Sequence, residues 1–232
     1  TVNDDNQNVE QLVSWDVSDM LVNYGFVCGS VTIGGESGDD NTKLSADKDL
    51  LKKSLTEFVK LRDEFGIVRA ETTLDSCADL FAQGKLAYTI TDVSHLNTIA
   101  ESGISYGVCS IPALSDDMQI ENISENLCAF VNPYSSDVQT AKAVANAMSY
   151  DYAAAVNSTT GLLSSRTISI NSKEYKDTYG KIYEIYSKAD DKAKFMGAAY
   201  FYTKFDIMLH QVWDGTDIET SVNSFLSELK VQ

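Results

Sequence analysis

The sequence predicts an α/β fold, and three observations lead to this prediction. Strand-like apolar segments alternate with amphipathic helices through the middle of the chain, and the second half is helical throughout. The 232 residues are 44% hydrophobic and 22% charged, as expected of a globular protein. This length suits one large domain or two small lobes, each with a core of its own.

The first 48 residues are polar and irregular. Within them, residues 10–24 carry apolar side chains at roughly helical spacing and predict a helix that ends near Gly25. The Gly- and Asp-rich residues 34–41 follow and predict a turn or an exposed loop. This part of the chain therefore contributes one predicted helix and one predicted loop.

The helical pattern becomes clear in the next segment. One helical face carries Leu51, Leu55, Phe58 and Arg62, with Gly66 as the stop signal. Residues 74–83 predict a short helix capped by Asp75 or Ser76. Residues 85–90 predict a strand, after which Thr91 or Asp92 caps a helix. This strand-to-helix junction is the first place where polar groups and free backbone N–H groups are expected to meet.

Two further strands are predicted at residues 106–111 and 127–131, each followed by a proline. They contain Cys109 and Cys128, whose disulfide is conceivable, although four buried free thiols are an equal alternative. Four helices complete the chain. Their apolar stripes run from Val138 to Met148, Tyr175 to Tyr186, Phe201 to Val212 and Ile218 to Leu229.

Charge and motif content exclude several function classes. The net charge of −16 repels phosphate backbones, so no nucleic-acid partner is expected. Two histidines and no CxxC motif argue against a zinc site, and no cofactor is expected. No catalytic triad order, nucleotide fingerprint or nucleophile elbow is present, so the chain is not expected to be an enzyme. No apolar run reaches the length of a membrane span.

An ordered set of segments carries a family resemblance. Residues 81–92 read FAQGKLAYTITD, and they are followed by YGV, IPAL, AFVNP and the alanine-rich TAKAV. In this order and spacing, residues 50–232 resemble the maltose-binding-protein-like family of extracellular solute-binding proteins. The sequence departs from the family pattern at Val93–Ser94–His95, where members often carry aromatic residues, and at Ser164, where a proline is usual.

The resemblance implies a periplasmic-binding-protein-like (type II) α/β fold without most of the N-terminal lobe. It implies that residues 1–128 and 190–232 form the C-terminal ligand-binding lobe, and that residues 129–189 belong to the N-terminal lobe or bridge toward it. The implied function is a solute receptor of an ABC importer that holds a mono- or oligosaccharide in an interlobe cleft. Permease subunits are then partners, and the location is extracytoplasmic, as a periplasmic protein or cell-surface lipoprotein. A protein-interaction module derived from such a receptor is the alternative.

Candidate ligand-binding residues come from two arguments. In open α/β folds, ligands bind beyond the carboxyl ends of strands and at helix N-termini, which selects Asp92, Ser94 and His95. Aromatic faces suit a sugar, and the candidates are Trp15, Tyr24, Tyr200, Tyr202 and Trp213. The resemblance places Tyr202 near a ligand-stacking aromatic of the family and Glu10 near another contact. No metal-binding residue is predicted.

Overall fold

The computed structural model describes residues 8–116, 118, 120, 122–164, 166 and 173–229, with the side chains of residues 173–176 excepted. The strands of this part are β1 (Gln11–Trp15), β2 (Val31–Gly34), β3 (Asp40–Ala46), β4 (Leu86–Ile90), β5 (Ile123–Ser124) and β6 (Asp190–Asp191). The helices are α1 (Met20–Tyr24), α2 (Lys48–Phe65), α3 (Leu74–Ala82), α4 (Leu96–Glu101), α5 (Val138–Asn146), α6 (Ala153–Thr160), α7 (Lys173–Tyr186), α8 (Ala198–Trp213) and α9 (Ile218–Leu229). The mixture of strands and helices confirms the predicted α/β class.

The described strands form three two-stranded sheets. β1 pairs with β4 in parallel, with Val13 opposite Tyr88 and Trp15 opposite Ile90. β2 and β3 form an antiparallel hairpin, and β5 pairs in parallel with β6. Because β1 and β4 run in the same direction, their carboxyl ends meet at one edge of the sheet.

The predicted helix over residues 10–24 is wrong in its first half. Residues Gln11–Trp15 form β1, and the helix is confined to Met20–Tyr24. Pairing with β4 explains the difference, because a ladder to a distant strand supplies backbone hydrogen bonds that local spacing does not reveal. Asp19 caps α1 by accepting a hydrogen bond from the backbone N–H of Val22. The short helix thus begins just beyond the end of the strand.

The main core lies between β1, α2, α8 and α9. Trp15 and Phe58 are 1% and 0% exposed, and each contacts Trp213, with ring centroids 5.8 Å and 4.8 Å away. Asn23 is fully buried with its polar groups satisfied, since it accepts from the Trp15 indole and donates to the carbonyl of Val17. Helix α9 adds Val222 and Phe225 to this core.

The capping residues set the helix boundaries, and some predicted caps are corrected. Helix α2 begins after Asp47, which accepts from two backbone N–H groups, and ends at Gly66 in the left-handed conformation with φ of 64°. The cap of α3 is Thr73, which forms a capping box with Ser76, whereas the sequence had favoured Asp75 or Ser76 itself. Asp92 is the cap of the turn Val93–His95 that leads into α4, as predicted.

The strands predicted at residues 106–111 and 127–131 are absent from the structure. The described residues supply no partner strand for either segment, and an unpaired strand has no ladder hydrogen bonds to hold it. Cys109 and Cys128 are exposed free thiols, while Cys28 and Cys77 are buried free thiols. The conceivable disulfide is therefore not formed, and the prediction of four buried thiols is right for two of them.

A second, smaller core joins α4 to α7 through Leu96, Tyr179 and Ile182.

Residues 127–156, hereafter the 127–156 segment, are mostly outside both cores, and α5 has no buried residue. Leu127, Phe130 and Tyr134 are 83%, 91% and 94% exposed. These three large apolar side chains are therefore almost fully in contact with water. None of the described helices is both long and apolar enough to cross a membrane.

Candidate functional site

Polar side chains converge at the carboxyl edge of the β1–β4 pair. Asp16 follows β1 directly, and Asp92 closely follows β4. Helix α3 also begins at this edge. The backbone N–H of its first residue, Leu74, donates a hydrogen bond to Asp16 Oδ2 at 3.1 Å. We call Asp16, Asp75, Asp92, Ser94 and His95 the carboxyl-edge site.

Asp92 organises the turn that follows β4. Its Oδ1 accepts hydrogen bonds from the backbone N–H of Ser94 at 2.8 Å and from the Ser94 hydroxyl at 2.5 Å. The Nδ1 atom of His95 lies 3.2 Å from the same oxygen. The structure therefore brings Asp92, Ser94 and His95 together as predicted, although their contact with a ligand stays a prediction.

His95 also reaches across to the start of α3. Its Nε2 lies 2.9 Å from Oδ1 of Asp75, so the imidazole stands between two carboxylates from different elements. The His95 side chain is 14% exposed, whereas that of Asp75 is 91% exposed. The site thus couples the end of β4 to the start of α3 through one ring.

Burial and hydrogen bonding oppose each other at both titratable groups. Burial raises the pKa of Asp92, but hydrogen bonds from Ser94, together with His95, lower it below the ordinary value. Burial lowers the pKa of His95, but hydrogen bonds to Asp75 and Asp92 and their charges raise it above the ordinary value. Both net shifts favour the charged forms, an aspartate beside an imidazolium.

The end of helix α6 packs against the turn Val93–His95. Gly161 ends α6 with φ of 73°, and a Cβ built there would overlap the carbonyl oxygen of Val93. Asn97 also donates to the carbonyl of Ser158 at 3.1 Å. The turn that carries Ser94 and His95 is therefore supported by α6, which makes its geometry more rigid than that of a free loop.

A second pair of neighbouring titratable side chains lies where α8 approaches the start of α1. Asp206 and His210 on α8 place Oδ1 and Nε2 3.3 Å apart, without the alignment of a hydrogen bond. Burial raises the pKa of Asp206, and the nearby charge of Asp19 raises it further. Arg69 pairs with Asp214 at 2.5 Å beside this group.

Four of the aromatic residues predicted to contact a ligand, Tyr24 among them, are buried in the structure. Trp15 and Trp213 are 1% and 2% exposed and pack against each other, so neither indole presents an exposed face. Tyr202 is also buried, and its hydroxyl accepts from the backbone N–H of Ala193 at 3.0 Å. Its remaining surface lines a shallow groove together with Tyr24, Ile33, Gly35, Glu36, Ile123, Asp190 and Asp191.

Tyr200 and Glu10, unlike the buried aromatic candidates, lie at the protein surface. Tyr200 stands in the first turn of α8 with 41% of its surface exposed, and the Lys204 ammonium lies 5.3 Å from its ring centroid. Glu10 pairs with Lys85 at 3.0 Å, at the amino end of the β1–β4 pair. Five residues of strand separate Glu10 from the carboxyl edge by about 16 Å, so Glu10 is outside the carboxyl-edge site.

Sequence reasoning missed two members of the site. Asp16 is a polar residue directly after a strand, but the helix predicted over residues 10–24 concealed that signal. Asp75 was considered only as a helix cap, and nothing local to it indicates His95, which is 20 residues away. Both omissions come from long-range pairing of chain segments.

Comparison with solved structures identifies the fold. The match to the maltotriose-binding protein of Thermus thermophilus covers 95% of this chain and 61% of that one, with a TM-score of 0.69 and 14% identity. The maltose-maltodextrin-binding protein of Alicyclobacillus acidocaldarius is matched over 99% of this chain and 63% of its own, with a TM-score of 0.75 and 13% identity. The chain has the fold of the periplasmic sugar-binding proteins.

A third structure with this sugar-binding-protein fold is the maltose/maltodextrin-binding domain MalE of Bdellovibrio bacteriovorus. It is matched over 100% of this chain and 62% of its own, with a TM-score of 0.72 and 14% identity. The chain thus spans less than two thirds of the length of each of these three proteins. No protein-family description matches the sequence. No curated protein matches it either.

Proposed function

We propose that this protein is a solute receptor that binds a neutral carbohydrate at the carboxyl-edge site. The observation that supports the proposal most is the sugar-binding-protein fold, which the chain shares over at least 95% of its length with three proteins named for maltose or maltotriose binding. The position of the site agrees with it, because ligands of open α/β folds bind beyond the carboxyl ends of strands.

The chemistry of the site suits a polyol. The three donors that meet Asp92 share the same oxygen, Oδ1, which leaves the second oxygen to accept from a ligand hydroxyl. Hydrogen bonds to a charged carboxylate are stronger than those between neutral groups. Asp16, Asp75 and Asp92 make the site acidic, so a neutral sugar is preferred to a phosphorylated or carboxylated solute.

A second lobe completes the cleft in this proposal. Residues 1–128 and 190–232 form the ligand-binding lobe, and residues 129–189 reach toward the second lobe. The highly exposed apolar side chains of the 127–156 segment support this arrangement, because a second lobe could cover them. The closed receptor would deliver its sugar to ABC permease subunits, in an extracytoplasmic location.

Titration with maltotriose tests the carbohydrate proposal. In this proposal the 232 residues supply one wall of the cleft, so they are expected to bind with a Kd of about 1 mM or weaker. Amide NMR shifts are expected to move at residues 92–97, while those of the β2–β3 hairpin stay constant. Shifts confined to the hairpin groove, or an unchanged spectrum at saturating sugar, would contradict the proposal. Binding in the micromolar range would contradict the half-built site.

Tyr200 is not a member of the carboxyl-edge site, and we propose that it stacks against a further unit of a bound oligosaccharide. Replacing Tyr200 with alanine should weaken maltotriose binding about 3- to 10-fold, because an aromatic stacking contact contributes about 0.5–1.5 kcal/mol. Tyr134→Ala is the matched control, since Tyr134 is 94% exposed on a different part of the chain, and it should leave the Kd unchanged. Equal effects of the two substitutions would show that Tyr200 does not contact the sugar.

A second candidate function is a protein-interaction module, and the same exposed segment favours it. Under this alternative, the apolar side chains are covered by another protein chain, and a second copy is the simplest case. Light scattering over a wide concentration range discriminates the two functions. The receptor proposal expects a monomer throughout, whereas a dimer that the substitution Phe130→Asp dissociates would support the module.

A further inference from the structure

The ring of His95 is held between two groups that only accept hydrogen bonds. Nε2 lies 2.9 Å from Oδ1 of Asp75, and Nδ1 lies 3.2 Å from Oδ1 of Asp92. An ionised carboxylate has no proton to donate, so each ring nitrogen needs its own N–H to form its bond. The protonated imidazolium has two N–H groups and satisfies both carboxylates at once, whereas a neutral ring has one.

The neutral ring has an alternative partner within reach. The hydroxyl oxygen of Ser94 lies 3.3 Å from Nδ1 of His95 and 2.5 Å from Oδ1 of Asp92. When the ring is protonated, the Ser94 hydroxyl donates to Asp92. When Nδ1 loses its proton, the same hydroxyl can turn and donate to Nδ1, while Nε2–H keeps its bond to Asp75.

We propose that His95, when protonated, links the start of α3 to the end of β4 through hydrogen bonds to Asp75 and Asp92, a link that we call the tie. The protonation state of His95 then decides whether the Ser94 hydroxyl donates to Asp92 or to Nδ1 of His95. Within the described part of the chain, the charged groups that face the ring are Asp75 from α3 and Asp92 from the end of β4. Its own turn contributes the hydroxyl of Ser94, and α6 supports that turn through the backbone of Gly161.

The tie has a consequence for ligand binding, and this consequence rests on the proposed function. With His95 protonated, Nδ1–H and the Ser94 hydroxyl both donate to Asp92, which holds the turn and its polar groups in place for a sugar. With His95 neutral, the loss of its bond to Asp92 loosens the turn that carries these groups. Sugar affinity is therefore expected to fall as pH rises through the pKa of His95, which makes His95 a positioning residue.

The direction of the stability effect follows from the raised pKa. Contacts to Asp75 and Asp92 favour the protonated ring in the folded state. The stabilisation is fully present below the pKa of the unfolded chain and is lost as pH rises through the higher pKa of the folded protein. The tie therefore weakens between the ordinary histidine value of about 6.5 and the folded value.

NMR titration of the two histidine rings tests the tie without any ligand. His95 is expected to titrate above about 6.5, and the substitution His210→Gln assigns the two signals. Asp75→Asn and Asp92→Asn should each lower the pKa of His95 by about 0.5, the effect of one partly exposed ion pair. Ser94→Ala should shift it in the opposite direction, because it removes the partner of the neutral ring and a donor to Asp92.

The outcomes separate this proposal from the proposed function. A His95 pKa at or below about 6.5, or one that Asp92→Asn and Ser94→Ala shift in the same direction, overturns the tie whatever the protein binds. If the tie titrates as expected and maltotriose still leaves the amide spectrum unchanged, the carbohydrate proposal fails alone. The protection factor of the Ser94 amide against hydrogen exchange should fall above the pKa in the wild type and be low at every pH in His95→Gln.

Discussion

Replacing Phe58 with alanine is expected to destabilise the protein by about 3–5 kcal/mol, the range for removing a large aromatic side chain from a closed core. Phe58 is 0% exposed and contacts Trp213 and Phe26, with ring centroids 4.8 Å and 5.6 Å away. It belongs to α2, whereas its partners come from α8 and the segment after α1. The cavity would therefore lie where several elements meet, and no single side chain can move to fill it.

Urea unfolding followed by circular dichroism measures this change in free energy. Phe130→Ala is the control, because Phe130 is the same residue type at 91% exposure, and its effect should be within about 0.5 kcal/mol of zero. Equal destabilisation by the two substitutions would mean that the buried cluster around Trp213 does not form the main core.

Replacing Gly161 with alanine is expected to cost about 2–4 kcal/mol, for two reasons that act together. The backbone φ of 73° lies in the left-handed region, which side chains with a Cβ adopt at a cost of about 1–2 kcal/mol. The new Cβ would also overlap the carbonyl oxygen of Val93. Relief of the overlap requires α6 to move away from the turn that carries Ser94 and His95.

Gly66→Ala separates the two causes. Gly66 has nearly the same φ, 64°, but nothing lies within 4 Å of a Cβ built there. It should show the backbone cost alone, about 1–2 kcal/mol by thermal or urea unfolding. The excess cost at Gly161 then measures the contact with Val93. If the two variants are equally stable, α6 does not press against the turn as the structure shows.

Local signals predicted the helices of the main core well. Apolar spacing and the terminal glycine placed α2 because both signals lie within the helix itself, with Leu51, Leu55 and Phe58 on the buried face. The stripe from Phe201 to Val212 placed α8 for the same reason. Asp92 was predictable as a cap, since the cap bonds to the backbone N–H two residues later.

Features that depend on distant partners were not predictable. Residues 11–15 have the spacing of a helix, but β4, more than 70 residues later, holds them as a strand. Residues 127–131 have the composition of a strand, but no described segment pairs with them. At the site, Asp92, Ser94 and His95 are neighbours in sequence, whereas Asp75 joins them only through the packing of α3 against β4.

The contact between Trp15 and Trp213 joins segments that lie far apart in the sequence, and this has a consequence for biosynthesis. A ribosome synthesises α8 and α9 long after β1 and α2, so the growing chain holds Trp15 and the apolar face of α2 without these partners until both helices have emerged. Such a topology, rich in contacts between distant residues, folds slowly and exposes nascent chains to aggregation. Chaperone capture during synthesis is the expected result.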